Sequence, residues 1–123
     1  MKPTLLTTAF ALATTLLAAT PVFAAGALAI DENQGDQWGF AYDYGSVGEA
    51  ADRALSECGG NCRIVQTFSG SCAAYAADQN SGSSVYGWAT AGDSGSAQSA
   101  ALQYCQQNGG SYCVVRSWGC DSN

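Results

Sequence analysis

Six cysteines, arranged as two groups of three, constrain this chain more than any other feature. The groups are Cys58, Cys62 and Cys72, then Cys105, Cys113 and Cys120. An even number of cysteines behind an export signal predicts a disulfide framework, which constrains the compartment, the fold and much of the stability. The gaps lack the Cys-x-x-Cys pairs typical of zinc sites, so we expect no metal and no other cofactor.

Residues 1–24 have the features of a signal peptide. Lys2 supplies a positive start, an apolar run covers residues 5–19, and small residues precede Ala24. The apolar run is shorter than the roughly twenty residues that a membrane-spanning helix needs. We therefore predict cleavage after Ala24, a secreted or periplasmic protein, and no membrane attachment once the signal is removed.

The negative charge of the chain argues against polyanionic partners. Ten carboxylates stand against four basic residues, and one of the four, Lys2, lies in the predicted signal peptide. The exported part would carry 3 − 10 = −7 charges. Because nucleic acids and anionic lipid surfaces are bound by clustered Lys and Arg, we expect neither as a partner.

The chain after the signal repeats itself once. Residues 38–41 (Trp-Gly-Phe-Ala) correspond to residues 86–89 (Tyr-Gly-Trp-Ala), and residues 54–58 (Ala-Leu-x-x-Cys) correspond to residues 101–105. Two copies are too few for a solenoid, so they predict one domain. We expect it to cover residues 38–120, with halves 38–77 and 84–120, after a flexible arm over residues 25–37.

Each half predicts the same elements. Alternating aromatic residues from Trp38 to Tyr44 are typical of a strand. Ser46, followed by Glu49, forms a capping box before an Ala-rich helix, and Asp93 takes the cap position in the second half. Further strands follow each helix. The expected fold class is α+β: two short helices packed on a sheet of about five strands, stapled by disulfides.

The order of these motifs resembles the bacterial family catalogued as domain of unknown function 4189. The shared pattern is an aromatic-Gly-aromatic strand, a helix ending in Ala-Leu-x-x-Cys-Gly-Gly (54–60), then Cys-x-Ile-Val (62–65) and Gly-Ser-Cys-Ala-Ala-Tyr-Ala (70–76). A shortened second copy ends near Trp-Gly-Cys (118–120). The resemblance covers roughly Trp38 to Cys120. It implies an exported, disulfide-bonded small domain, and brings no settled activity and no catalytic residues.

Six cysteines allow fifteen pairings, and the repeat favours one of them. The proposed pairs are Cys58–Cys62, Cys105–Cys113 and Cys72–Cys120. The first two would tie a helix end to the next strand, and the third would join the two halves across the duplication. Every cysteine then has a structural partner, which leaves none for catalysis.

Residues 92–96 (Gly-Asp-Ser-Gly-Ser) resemble the segment around a chymotrypsin-type nucleophile. The chain contains no histidine that could act as the base, so Asp93 is better interpreted as a helix cap. Acid–base hydrolysis through carboxylates is an alternative. Its candidates are Glu49, Asp52 and Glu57, which fall on the polar face of the first helix, where solvated acids are common.

The aromatic residues are the candidate binding surface. Seven of them lie on predicted strands: Trp38, Phe40, Tyr42, Tyr44, Tyr86, Trp88 and Trp118. We expect most to fill a core between the sheet and the helices. Tyr44, Tyr75 and Tyr112 are expected nearer the rim, where exposed aromatic rings contribute much contact energy.

Three functional hypotheses follow, and an enzyme is not favoured. The first is a non-enzymatic binding module, acting as an inhibitor or effector, whose partner is a protein or an envelope glycan. The second is a small hydrolase of envelope polymers, which needs a cleft with two acids about 5–10 Å apart. The third is a structural envelope protein. No catalytic or metal-binding residue is assigned.

Overall fold

The computed structural model describes residues 24–31 and 37–121. The predicted signal peptide lies outside the described residues except for Ala24, as do residues 32–36 of the predicted arm. Six strands and two helices follow in the order β1 (Ala25–Asp31), β2 (Trp38–Tyr44), α1 (Val47–Cys58), β3 (Cys62–Ser69), β4 (Cys72–Asp78), β5 (Tyr86–Ala91), α2 (Ser94–Gln107) and β6 (Cys113–Cys120). The α+β class is correct in outline.

The strands form two sheets, where the sequence predicted one sheet of about five strands. Both sheets are antiparallel and three-stranded, with the orders β2-β1-β3 and β5-β4-β6. Each half therefore completes a sheet of its own. The sequence predicts one strand fewer because β1 lacks the alternation of apolar and polar residues.

The first correction concerns the predicted flexible arm, since residues 25–31 form the central strand of the first sheet. Residues 25–30 are all buried, and Leu28 and Ile30 are only 1% exposed. Alanines 27 and 29 face α1, while Leu28 and Ile30 face the opposite side. This strand is covered on both faces, so its sequence lacks the polar alternation that marks a half-exposed strand.

The second correction concerns the boundary between the halves. The third strand assigned to the first half, β4, is the central strand of the second sheet. Each repeat is thus a strand-strand-helix-strand unit, covering residues 25–69 and 72–120. Register irregularities lie at equivalent places, between Leu28 and Ala29 and between Tyr75 and Ala76. The central strands of the two sheets are therefore copies of each other.

Each helix covers the outer face of its own sheet through small side chains. Ala50, Ala54 and Cys58 of α1 pack on alanines of β1 and β2. Ala97, Ala101 and Cys105 of α2 do the same on β4 and β5. Alanine on both sides lets a helix lie close to its sheet.

A glycine in each repeat permits this close approach. A Cβ on Gly39 would collide with the Ala54 carbonyl oxygen and lie 2.8 Å from the Cys58 nitrogen. A Cβ on Gly87 would collide with the Cys105 nitrogen and lie 2.6 Å from the Ala101 oxygen. The aromatic-Gly-aromatic motif therefore marks the place where the helix touches the strand.

The aromatic layer lies between the two sheets, not between sheet and helices as predicted. Its members come from both sheets: Leu28, Ile30, Phe40, Phe68 and Tyr75, with Trp38, Tyr86 and Trp88 packed against them. The Trp38 and Tyr75 rings meet at 5.9 Å between centroids. The molecule thus has four layers, helix, sheet, sheet and helix, and its largest side chains fill the middle.

The helix termini follow the predicted caps. The Ser46 hydroxyl accepts a hydrogen bond from the Glu49 N–H at 3.1 Å, and the Asp93 carboxylate accepts one from the Ser96 N–H at 2.8 Å. The Ser96 N–H lowers the pKa of Asp93 because it stabilises the carboxylate. On the exposed face of α1, Arg53 forms an ion pair with Glu57 at 3.0 Å.

Three disulfides join Cys58 to Cys62, Cys105 to Cys113 and Cys72 to Cys120, which are the pairs favoured by the repeat. The role predicted for Cys72–Cys120 is wrong, however. It joins facing residues of neighbouring strands β4 and β6, inside the second repeat. The equivalent facing pair in the first repeat is Ala25 and Ser69. No disulfide among the described residues crosses between the halves.

Candidate functional site: a groove at the edge of β5

The two sheets present four edge strands, and β5 differs from the others. Edge strands of soluble proteins usually carry a charged residue or an irregularity that discourages pairing with another chain. β2, β3 and β6 contain Asp43, Arg63 and Arg116, and each has a register irregularity against its neighbour. β5 reads Tyr-Gly-Trp-Ala-Thr-Ala, has no charge, and pairs with β4 in regular register.

The free edge of β5 directs backbone groups outward. In an antiparallel pair, successive residues point their N–H and C=O toward the neighbour and away from it in turn. Val85, the residue immediately before β5, directs its carbonyl toward β4, because its oxygen accepts the Asp78 N–H at 2.9 Å. By alternation, the backbone groups of Tyr86, Trp88 and Thr90 point away from β4. The Asn108 amide, reaching the Tyr86 oxygen from outside at 2.8 Å, follows this alternation.

Trp88 and Thr90 are therefore the unpaired positions of the edge. β5 has β4 as its sole partner strand among the described residues. Each of the two residues offers one N–H donor and one C=O acceptor to the open side. Unpaired backbone groups of this kind are a template for another extended chain.

A groove of about 450 Å³ follows this edge. Its floor is residues 87–90 of β5, α2 supplies Ala100, Tyr104 and Asn108 on one side, and Gln66 of β3 stands on the other. None of the lining side chains is charged. Tyr104 is 52% exposed, so its ring is available to a ligand.

The aromatic rings of the groove are held by the inner layer. Trp88 stacks on Tyr86 with 5.7 Å between ring centroids, and Tyr86 lies 6.1 Å from Tyr75. Because Tyr75 is fully buried, this row of rings is anchored in the core. One end of the row, Trp88, is at the groove.

In the described part of the first repeat, α1 presents no comparable uncharged wall. The helix caps Ser46 and Asp93 align the two helices, so Arg53 and Glu57 of α1 correspond to Ala100 and Tyr104 of α2. In α1 these positions hold the exposed ion pair, and in α2 they wall the groove. One repeat therefore presents a solvated face where the other presents an uncharged groove.

A second, smaller groove of about 210 Å³ lies beside the loop that follows β4. Its lining includes Trp38, Asp78, Asn80 and Arg116. The Asp78 carboxylate accepts bonds from the Asn80 side chain at 2.9 Å and the Tyr112 N–H at 3.1 Å. The Ser83 hydroxyl, together with these donors, lowers the pKa of Asp78, so the group acts as a structural acceptor.

The predicted hydrolase acids do not form a cleft. Glu49, Asp52 and Glu57 are exposed on α1 and line neither groove. The first groove contains no carboxylate and the second contains only Asp78. Neither groove therefore holds the pair of acids that hydrolysis would require.

A different acid, Asp121, is buried directly after β6. It is 7% exposed, and its Oδ1 accepts the Asp43 N–H at 2.8 Å, while its Oδ2 is buried without a hydrogen-bond partner among the described residues. Burial raises the pKa of Asp121, and the Asp43 carboxylate adds to this effect. Asp43 has a left-handed backbone with φ of 63°. This contact joins the end of β2 to the end of β6.

The three predicted rim tyrosines do not form one surface. Tyr75 is 0% exposed and lies in the inner layer, so its assignment to the surface is wrong. Tyr44 is half-buried against the α1 cluster, because the irregularity in β2 turns it from the inner face. Tyr112 is 59% exposed, and neither Tyr44 nor Tyr112 lines a groove.

The sequence did not single out the groove. Tyr104 and Ala100 belong to the apolar stripe of α2, of which only Ala97, Ala101 and Cys105 are buried. A position-by-position comparison of the two helices does indicate the groove, since the positions of Arg53 and Glu57 in α1 hold uncharged residues in α2. Gln66 reaches the groove from the other repeat, which no local pattern shows.

These features define a class of protein: a small disulfide-stapled domain built from two strand-strand-helix-strand repeats. The chain belongs to the family described as Domain of unknown function (DUF4189), which it matches over residues 25–120. The match begins with β1, which the resemblance noted from the motifs had not included. No curated protein and no solved structure matches the chain.

Two further findings bear on location. Three disulfides are consistent with an extracellular or periplasmic protein. Among the described residues, no helix has the length and apolar character needed to cross a membrane.

Proposed function

We propose that this chain is an exported, non-enzymatic binding module that holds a protein partner in the β5 groove. The observation that carries the proposal is the free edge of β5, which combines outward backbone groups with an uncharged wall formed by Ala100 and Tyr104. Export through cleavage after Ala24 is part of the proposal. The disulfides would then form in an oxidising compartment.

A protein suits this groove better than an envelope glycan. The groove has hydrogen-bonding side chains in Gln66, Thr90 and Tyr104, while the Asn108 amide already bonds the Tyr86 oxygen. Its distinguishing feature is the regular row of unpaired backbone groups on β5, which an extended polypeptide matches. The hydrolase alternative has less support, because neither groove contains a pair of acids. The structural-protein alternative does not account for an unprotected sheet edge.

The test exchanges the walls of the two repeats. A100R/Y104E gives α2 the ion pair that α1 carries at the equivalent positions, so the variant is expected to fold. R53A/E57Y makes the reverse change on α1 and is the matched control. The probes are a displayed library of linear peptides and a panel of soluble envelope glycans, both applied to the oxidised protein.

We expect peptides to be enriched on the wild type and on R53A/E57Y, and not on A100R/Y104E. Urea unfolding of all three proteins verifies that they are folded. Retention of a glycan with no enriched peptide would contradict the proposal. So would peptides that bind A100R/Y104E as well as the wild type.

A further inference from the structure

The way in which the groove holds its partner can be derived from β5 itself. We infer that the partner binds as an extended polypeptide segment that adds to the second sheet as a fourth strand beside β5. This inference rests on the proposed function and specifies its ligand. The occupant is a segment of another protein with uncharged central residues and basic flanking residues.

The backbone argument comes first. Trp88 and Thr90 present two donors and two acceptors along one line, with one residue between them. Successive outward residues of a strand are about 6.8 Å apart, the spacing at which alternate residues of a second strand present their own groups. A polypeptide satisfies all four groups at once. A glycan has no such repeat.

The side-chain argument concerns the walls. Alternate side chains of an added strand point to opposite faces of the sheet, so one set would face α2 and the other would face Gln66. Ala100 leaves space on the α2 side, and the exposed Tyr104 ring borders that space. An apolar or aromatic side chain of the segment fits there, whereas a charged one would lose water without gaining a partner.

The charge argument separates a foreign segment from a second copy. The chain carries ten carboxylates and four basic residues, so two copies repel each other. α2 contains no charged residue, and the groove itself is uncharged. The central residues of the segment are therefore neutral, while Lys or Arg on either side would be attracted by the acidic domain.

The remaining edge strands serve as internal comparisons. β3 and β6 have an arginine and a register irregularity, and β2 has Asp43 in a left-handed conformation. Each of these features disturbs the regular line of donors and acceptors that an added strand needs. The inference therefore applies to β5 alone among the four edges.

The experiment uses a synthetic peptide selected from the displayed library and the full oxidised protein. Each residue of the peptide is N-methylated in turn, which removes one backbone donor and leaves the side chain unchanged. Strand addition predicts an effect with a period of two. Methylation of residues facing β5 lowers affinity about tenfold, and methylation of the intervening residues changes it little.

A protein variant provides the reciprocal test. Thr90→Pro removes an outward N–H that β4 does not use, and proline is tolerated at such edge positions. We expect Thr90→Pro to weaken peptide binding about tenfold while urea unfolding shows a folded protein. The matched comparison is Thr90→Val, which keeps the N–H, so Thr90→Pro is expected to bind the peptide about tenfold more weakly than Thr90→Val.

The outcomes separate the two proposals. Peptides that require the Ala100 and Tyr104 wall but show no period of two would overturn strand addition and leave the binding module intact. A glycan held in place of any peptide would overturn both. Self-association of the wild type that A100R/Y104E abolishes would identify a second copy as the occupant and overturn the foreign segment.

Discussion

At the scale of single residues, the fold depends on two glycines that no larger residue can replace without a clash, and on one buried carboxylate. Gly39 and Gly87 lie at equivalent places, in β2 and β5, and allow each helix to touch its own sheet. Asp121 is the one buried polar residue among those described, and it ties the end of β6 to Asp43. Each of these observations gives a measurable expectation.

Gly39→Ala and Gly87→Ala are expected to lower the free energy of unfolding by about 1–3 kcal/mol each, because the added methyl group forces the helix from its strand. Urea unfolding measures the loss. Gly48→Ala is the control. Gly48 lies on the exposed side of α1 with its nearest neighbour atom at 3.9 Å, so alanine there should stabilise by about 0.5–1 kcal/mol. Equal losses at all three positions would refute the close-approach argument.

The carboxyl of Asp121 predicts a pH dependence. Its folded pKa is raised above the ordinary 3.8, so the stability that the protonated group contributes is fully present below about pH 3.8 and is lost as the pH rises through the folded pKa. Asp121→Asn keeps an acceptor for the Asp43 N–H and does not titrate. Relative to this variant, the free energy of unfolding of the wild type should fall as the pH rises from below 3.8 through the folded pKa of Asp121. Urea unfolding of both proteins over a series of pH values measures this difference.

Asp43→Asn is the companion variant. It removes the carboxylate that helps to raise the pKa of Asp121, and asparagine tolerates the left-handed backbone. The pH dependence attributed to Asp121 should become weaker in this variant. An unchanged difference between the wild type and Asp121→Asn at every pH would show that Asp121 has an ordinary pKa.

At the scale of elements, the two repeats differ in one disulfide bond. Cys72–Cys120 closes a sequence separation of 48 residues, whereas Cys58–Cys62 closes 4. In the chain-entropy description, the first contributes about 4 kcal/mol and the second about 2 kcal/mol. The facing residues Ala25 and Ser69 occupy the position of Cys72–Cys120 in the first repeat.

Ala25→Cys together with Ser69→Cys is therefore expected to form a fourth disulfide. Its loop is similar in length to that of Cys72–Cys120, so the gain in unfolding free energy should approach about 4 kcal/mol. Peptide mapping under non-reducing conditions and thiol titration identify the bond. Ser69→Cys alone is the control, which should leave one free thiol. Two free thiols in the double variant would show that the strands are not equivalent.

The elements also show how far sequence patterns reach. The caps Ser46 and Asp93, both helices and five of the six strands were predicted, because turns, caps and periodicity are local properties. β1 was not predicted, since a strand buried on both faces carries no alternation. The groove residues Ala100 and Tyr104 cannot be distinguished from buried residues by pattern, because the apolar stripe of a helix does not show which part of it the sheet covers.

At the scale of the whole molecule, the inner aromatic layer makes the two repeats one domain. Trp38, Phe40 and Phe68 of the first repeat meet Tyr75 and Trp88 of the second. Each sheet alone would expose this apolar face to water. Surface of that extent is costly in a domain of about fifty residues.

The separated repeats, residues 25–70 and 71–121, are therefore expected not to fold alone. Circular dichroism and urea titration of each repeat should show no cooperative transition, while the intact chain unfolds in a single step. An equimolar mixture of the two, oxidised together, should recover the intact spectrum. A cooperative transition in either isolated repeat would show that the aromatic layer is dispensable.

The sequence by itself determined the disulfide set, the duplication, the helices and their caps, because these depend on spacing and on residues close together in the chain. The tertiary structure decided which strand belongs to which sheet, that Tyr75 is buried, and that Cys72–Cys120 lies within one repeat. It also decided that Gln66, Trp88 and Tyr104 meet at one edge. These results depend on the packing of two sheets face to face, which brings together residues distant in the sequence.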